Sequence, residues 1–481
     1  MIKMTKSLGY LTLYCLVLFA VVPLLRLSLP MDTQEAMVWG KYCLWGTTKH
    51  PPFSGWLAYD FYKLLGSWDV AMYILSQLCV ACGIFYVYKL ARCFFDENKA
   101  AMAAMLQFGI IYYHFSAVEY NVNVVSVALW PMCAYYFWRA YNENKLKDWL
   151  FFGFLAGINL LNKYVSSLLL VSLALFVFAD RGVCRLLKNI KVYAAAIVAL
   201  LIFAPHAWWM FQTDFETLNY FAARSGKDSL ALWGHLVYPL KFLLAQVLFA
   251  AAMLLTYFLF YRKSEKEQSE KNRTKSLFIL IMAFAPLCLF ALTSVVSGNA
   301  LKSMWGFPCL FMWGTALVYF YPIKPNAKLP FVMAGWITLF ALVYTIQCLL
   351  TTSPRFTTDA GAFAATMEQK WQEKTGRKLE YVGSDVWYAN MLTLYGSHEI
   401  KPMIWMQPQS NPWFDVKDFK KKGALVIAGE EAEYNNYRQV YGANITPPQK
   451  MTVEFKNYFG KTKIKEILYG FYLPKESKNA E

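Results

Sequence analysis

The chain has 481 residues, 57% of them hydrophobic and 18% aromatic, and a formal net charge of +16. That length allows two or three domains, but so apolar a composition, with charge confined to short clusters, excludes an ordinary soluble protein. The positive charge sorts by loop, which makes it a topology signal and excludes nucleic acid as the implied partner.

Apolar runs long enough to cross a bilayer core of about 30 Å recur through the first three quarters. They predict spans at 8–29, 70–91, 100–118, 123–140, 149–162, 164–180, 191–210, 233–260, 276–297, 303–321 and 329–350. The first is followed by Pro30-Met31-Asp32, a poor cleavage site, and reads as an uncleaved anchor. Around Asn162-Lys163-Tyr164 the pattern fits two short spans that meet, or one re-entrant element. Basic clusters stand at Lys3/Lys6, Arg92/Lys99, Arg139/Lys145/Lys147, Arg181 to Lys191, Arg262 to Lys275 and Lys324/Lys328. With these spans all of them fall on the side of the N-terminus, which the positive-inside rule makes cytoplasmic. An odd number of spans, about eleven, then puts the residues after 350 outside.

Of the ten cysteines, nine lie in or beside the spans and Cys43 stands in the first outer loop, so no disulfide framework is expected. Cys79-x-x-Cys82 falls mid-span on one helix face and reads as packing. Beyond residue 350 the chain becomes more polar. Leu379–Gly383 and Ala424–Gly429 read as buried strands, Asp385–Tyr395 as a helix between them, and Val453–Tyr458 with Ile467–Leu473 as a strand pair. That alternation predicts a small α/β domain. It carries no phosphate-binding glycine loop, zinc spacing or nucleophile elbow.

The chemistry gathers in the outer loops. Asp32 and Glu35 lie just past the first span; three residues apart, they would share one face of a short helix. A carboxylate there can deprotonate an acceptor hydroxyl or phosphate. The structural alternative is a capping box, with Asp32 capping a helix that starts near Thr33. In the same loop Lys49-His50-Pro51-Pro52 presents a point charge and an imidazole on a stiff backbone, able to meet phosphate or metal. Its alternative is an ordinary turn into a surface helix from Phe53 to Leu65. Further polar groups sit at outer ends: Glu119 to Asn123, Lys163 within an apolar stretch, Pro205-His206-Ala207-Trp208-Trp209, Arg224 and Lys302. Snorkelling explains Arg224 and Lys302 singly, and an aromatic belt explains the tryptophans. Several cations converging on loops that also carry acids is a stronger pattern than any of them alone. A transporter of lipid-linked sugars would instead carry its polar groups at midplane on broken helices.

Asp32-x-x-Glu35-Ala36, Trp45-Gly46, Lys49-His50-Pro51-Pro52 and Trp56-Leu57 resemble the first-loop signature of bacterial polyprenyl-phosphate-sugar-dependent glycosyltransferases. These are the GT-C proteins that include protein mannosyltransferases and the lipid A aminoarabinose transferase. Asn121-x-Asn123 with Leu129-Trp130-Pro131, Gly157 with Asn162-Lys163-Tyr164, and Pro205-His206-x-Trp208 are similar to the group's later blocks. The resemblance covers roughly residues 8–325. It implies a GT-C-like helical membrane domain over 1–350, a catalytic first outer loop at 30–69 and a periplasmic α/β domain at 351–481, in a bacterial inner membrane.

The implied reaction is an inverting transfer from a polyprenyl (undecaprenyl) phosphate donor to lipid A, lipopolysaccharide or another envelope glycoconjugate, among membrane lipids. Asp32 matches the general base and Glu35 the acceptor-orienting position. Lys49 and His50 match the grip on the donor phosphate, with Lys163, Arg224 and Lys302 as further phosphate partners. Glu119, Asn121, Asn123, Tyr164 and His206 fall where sugar or acceptor would bind. Relatives often carry an Asp in the second outer loop where this chain has Glu119, Asn121 and Asn123. No cofactor is certain, and a divalent metal is left open. Protein O-glycosylation and lipid-linked-sugar transport are the alternatives.

Overall fold

The computed structural model describes residues 4–66, 69–225, 231–263, 271–408 and 411–474. The chain divides into two compact units. One comprises Met1–Val22, Leu44–Leu57 and Val70–Tyr344, and the other Pro23–Cys43, Ala58–Asp69 and Thr345–Glu481.

Helices α1 (Met4–Val21), α2 (Met31–Lys41), α3 (Phe53–Leu64), α4 (Val70–Ala91) and α5 (Glu97–Met105) open the chain. They are followed by α6 (Val122–Glu143), α7 (Leu146–Asn162), α8 (Ser167–Ala179), α9 (Val183–Leu187), α10 (Ile190–Gln212) and α11 (Glu216–Ser225). The first unit closes with α12 (Ala231–Phe249), α13 (Ala251–Lys263), α14 (Arg273–Ser297), α15 (Trp313–Phe320) and α16 (Leu329–Leu350), whose last residues belong to the second unit.

Among the described residues six helical stretches are long and apolar enough to cross a membrane: Met4–Leu25, α4, α10, Leu232–Phe249, α14 and α16. A seventh is added if Glu97–Gly109 and Ile111–Val118, bent by 92° at Ile110, form one span. The other predicted segments are helical too but fall outside that test. Three differ in detail from the sequence reading: 100–118 is broken, 233–260 is split between α12 and α13, and 303–321 is divided between a 3-10 helix at Ser303–Leu310 and α15. The break is repaired by buried side chains, as an apolar setting requires. Gln107 Nε2 donates to Phe311 O at 3.1 Å, and His114 accepts from Phe115 N at 2.8 Å through Nδ1. That leaves the proton on Nε2, which donates to Phe108 O at 3.1 Å.

Glycines let the helices of this unit approach closely. A methyl group at Gly153 or Gly157 of α7 would strike the backbone or Ile202 of α10, and one at Gly83 of α4 would strike Val127 of α6. Helix association in lipid rests on such small-residue contacts.

In the second unit α17 (Pro354–Thr357) and α18 (Ala360–Thr375) precede β1 (Tyr381–Ser384), α19 (Val386–Tyr395) and β2 (Lys401–Ile404). Then come α20 (Val416–Lys422), β3 (Ala424–Ala428), α21 (Glu431–Tyr441), β4 (Gln449–Lys456) and β5 (Thr462–Tyr472). The sheet order is β2-β1-β3-β5-β4, with β1 parallel to both neighbours and β5 antiparallel to β3 and β4. Alternate strand residues feed two cores: Val382, Leu425 and Ile427 join Phe363, Trp371 and Leu392, while Tyr381, Val426 and Ala428 join Phe419 and Tyr434. The short segment from Pro23 is stitched into this unit. Leu27 N donates to Phe356 O at 3.1 Å, Arg26 donates to Arg355 O at 2.6 Å and stacks on Phe356, and Tyr458 donates to Leu25 O at 2.9 Å.

Candidate active site

Asp32 and Glu35 lie on α2, in the second unit. The helix starts at Met31 with Pro30 as its N-cap and no capping side-chain bond, so the capping-box alternative does not hold. Proline fits there because the first helical N–H groups have no intrahelical partner. Asp32 falls in the first turn, where the helix dipole favours a carboxylate, and Lys41 in the last, where it favours a cation. Asp32 is half-buried and Glu35 only 5% exposed, and the run from Thr33 to Gly40 is buried throughout. The helix packs on α19, and Met31 adjoins the core of the α/β domain. Past its end Tyr42 stacks on Trp413 with ring centroids 4.8 Å apart. Burial pushes the Lys41 ammonium below its ordinary pKa; Glu399, 4.0 Å away, opposes the shift while Lys63 and Lys401 add to it.

Lys49 and His50 lie in the first unit, on a turn closed by Thr47 N to His50 O (3.1 Å) and Thr47 Oγ1 to His50 O (2.9 Å). The His50 N–H donates back to Thr47 Oγ1 at 3.1 Å. Buried Pro51 and Pro52 lead into α3, as the two prolines predict. The turn is fastened to the first two residues of α11: Thr217 Oγ1 donates to Thr47 O at 2.6 Å, and Thr48 Oγ1 donates to Glu216 Oε1 at 2.7 Å. His206, fully buried on α10, reaches the same loop. Its Nδ1 lies 2.5 Å from Trp45 O and so carries the proton; in the neutral ring Nε2 then accepts from the Tyr164 hydroxyl at 2.7 Å. His206 also stacks on Trp209, whose ring covers Gly46 so closely that a side-chain carbon there would overlap it.

Lys163 is extended between α7 and a 3-10 turn at Tyr164–Ser166, so the two short segments meet at a lysine. It is 8% exposed; its Nζ donates to Asn123 Oδ1 at 2.5 Å and stands 6.0 Å from the centre of the Trp305 ring. An ammonium at that depth is costly, and an amide oxygen with an aromatic face lowers the cost. Asn121 is the N-cap of α6: its Oδ1 accepts from Asn123 N at 2.8 Å and its Nδ2 donates to Glu119 O at 3.0 Å. Glu119 is half-buried in the same stretch, and Lys302 is exposed ahead of a 3-10 helix at Ser303–Leu310. Arg224 is on α11, and its side chain is outside the described residues.

The sequence reading did not single out Glu216, Thr217, Tyr120, whose hydroxyl donates to Ser54 O at 2.8 Å, or Trp305. Only their positions at span ends could have marked them. Among the described residues no group of three or more His, Cys, Asp or Glu is arranged to hold a metal ion.

Residues 49–209 match the dolichyl-phosphate-mannose-protein mannosyltransferase family. That stretch includes the Lys49–Pro52 turn, Glu119–Asn123, Asn162–Tyr164 and His206. The fold matches ArnT from Cupriavidus metallidurans bound to undecaprenyl phosphate, with a TM-score of 0.62 and 13% identity over 97% of this chain and 98% of that one. Part of the chain thus matches a glycosyltransferase family, and the whole of it has the ArnT fold. The apo form of the same ArnT gives this chain a TM-score of 0.51 at 14% identity, over the same shares of both chains. The lipopolysaccharide core galacturonosyltransferase RgtA of Rhizobium johnstonii is 25% identical over 59% of this chain and 58% of its own length. RgtB of the same organism is 24% identical over 59% of each. The chain thus spans less than two thirds of the length of the curated relatives it matches. With its apolar helices it is a multi-pass membrane protein with a small α/β domain.

Proposed function

We propose that this protein is a GT-C glycosyltransferase that transfers a sugar from polyprenyl (undecaprenyl) phosphate to lipid A or another lipopolysaccharide-type acceptor at the outer face of a bacterial inner membrane. Its N-terminus is cytoplasmic and its α/β domain periplasmic. Asp32 takes the proton from an acceptor hydroxyl as that oxygen attacks the anomeric carbon. The bond from that carbon to the phosphate oxygen breaks, the configuration inverts, and polyprenyl phosphate leaves. Lys49, His50 and Lys163, with Arg224 and Lys302, offset the charge that develops on the phosphate, a contribution that can reach several kcal/mol. Glu35 orients the acceptor, with Glu119, Asn121, Asn123, Tyr164 and His206 toward the sugar or acceptor.

The observation that carries this reading is the fastened turn. Trp45–Pro52 is held at Trp45 by His206, at Thr47 by Thr217 and at Thr48 by Glu216, so Lys49 and His50 are presented on a backbone fixed before any ligand arrives. Preorganised charge is what a leaving phosphate needs. Support also comes from ArnT, solved with undecaprenyl phosphate, and from the lipopolysaccharide-core activity in the names of RgtA and RgtB.

The test is mass spectrometry of lipid A and envelope glycans from cells lacking the gene, complemented by the wild type or by Asp32→Asn. A hexose- or aminosugar-sized mass difference restored by the wild type alone is expected. Restoration by Asp32→Asn would remove the base assignment. No difference in any glycolipid would shift the acceptor to protein, or the role to lipid-linked-sugar transport.

A further inference from the structure

The backbone leading to Asp32 is held from two sides within the second unit. Leu29 is fully buried; its N–H donates to the Tyr395 hydroxyl at 3.2 Å, and its carbonyl accepts from Gln34 Nε2 at 2.8 Å. The Tyr395 hydroxyl in turn donates to Asp69 Oδ2 at 2.6 Å. A phenol has one proton and an ionised carboxylate only accepts, so Asp69 fixes which way that proton points and turns a lone pair toward Leu29. Burial raises the pKa of the Asp69 carboxyl and the bond from Tyr395 opposes the rise. Asp69 immediately precedes α4 and Tyr395 ends α19, so two residues far apart in sequence converge on the peptide three residues before Asp32.

We propose that Tyr395, oriented by Asp69, is a positioning residue that sets where the Asp32 carboxylate meets the acceptor hydroxyl. This rests on Asp32 being the base. Side chains that do chemistry must be held to within about 0.5 Å, and a shift of 1 Å can cost about a hundredfold in rate. Replacing Tyr395 with phenylalanine keeps the ring and removes the acceptor, which leaves a buried N–H without its partner and frees the segment that aims Asp32.

The experiment uses the full-length protein in nanodiscs, acting on membrane extract from the deletion strain as the source of donor and acceptor. The mass-shifted product is read over a dilution series, alongside the thermal unfolding midpoint. Tyr395→Phe should lower the maximal rate about ten- to hundredfold while the half-saturating amount of extract stays unchanged. Asp69→Asn should lower it less, because its amide oxygen still accepts from Tyr395. The double variant should be no slower than Tyr395→Phe, since both act through one contact. A wild-type maximal rate in Tyr395→Phe, fully additive losses, or a loss matched by the fraction unfolded would each overturn the proposal. Asp32→Asn, run in parallel, separates the two levels: if it is inactive while Tyr395→Phe is fully active, only the positioning role fails. If Asp32→Asn itself turns over, the base assignment fails and this proposal with it.

Discussion

At the scale of single residues, His206 shows how a side chain can serve a loop it does not belong to. It fixes the Trp45 carbonyl with one ring nitrogen and receives Tyr164 with the other. Removing it leaves the part-buried Trp45 carbonyl and Tyr164 hydroxyl to find new partners, a loss of about 1–3 kcal/mol. His206→Ala should therefore weaken donor binding about five- to hundredfold, measured by titrating the purified protein with undecaprenyl phosphate. An unchanged affinity would detach the turn from the donor. The sequence makes His206 visible as a polar residue in an apolar run, but neither partner, because both contacts cross from one helix to a distant loop. Asp32 and Glu35 sharing a helix face was legible from their spacing. The absence of a cap was not, because Pro30 moves the helix start two residues ahead of the expected one.

Among the elements, α19 stands where several lines of support meet. Asp385 caps it, accepting from Tyr388 N at 3.0 Å, and burial raises its pKa, with the Glu433 charge adding to the rise. A carboxyl raised in the folded state lends stability below its ordinary pKa and loses it as the pH rises through the raised value. Asp385→Asn retains an oxygen for the cap and does not titrate, so its stability should be flatter over about pH 4–8. Asp385→Ala loses the cap as well and should be about 1 kcal/mol less stable than Asp385→Asn at any pH in that range. Thermal unfolding of the three proteins over that range checks both outcomes. The helix itself was legible from its spacing between two strand-like runs. Strand β2 was not, because Pro402 argues against a strand; it is tolerated since β2 lies at the sheet edge. The break at Ile110 was hidden in a continuous apolar run, since hydropathy registers length and not direction.

For the whole molecule, span positions were the most legible feature, because bilayer thickness imposes a length on each of them. The partition of the first loop was not legible, because it depends on packing between parts of the chain far apart in sequence. Pro23–Cys43 clusters with residues after 344, whereas Leu44–Leu57 clusters with the helical unit. Truncation at residue 351 should therefore abolish transfer outright rather than merely reduce acceptor use, because α2 loses α19. Membrane extraction and product analysis of the truncated protein check this; residual turnover above a few per cent would contradict it. The same partition sets a clock on synthesis. The helix that carries Asp32 is made among the first residues, but the residues it clusters with arrive roughly three hundred residues later. At about 5–20 residues per second, that is a wait of about 15–60 seconds. A nascent chain thus threads its helices into the membrane long before α2 has its permanent neighbours, and any ribosome that stops short leaves behind a protein that is inserted and inert.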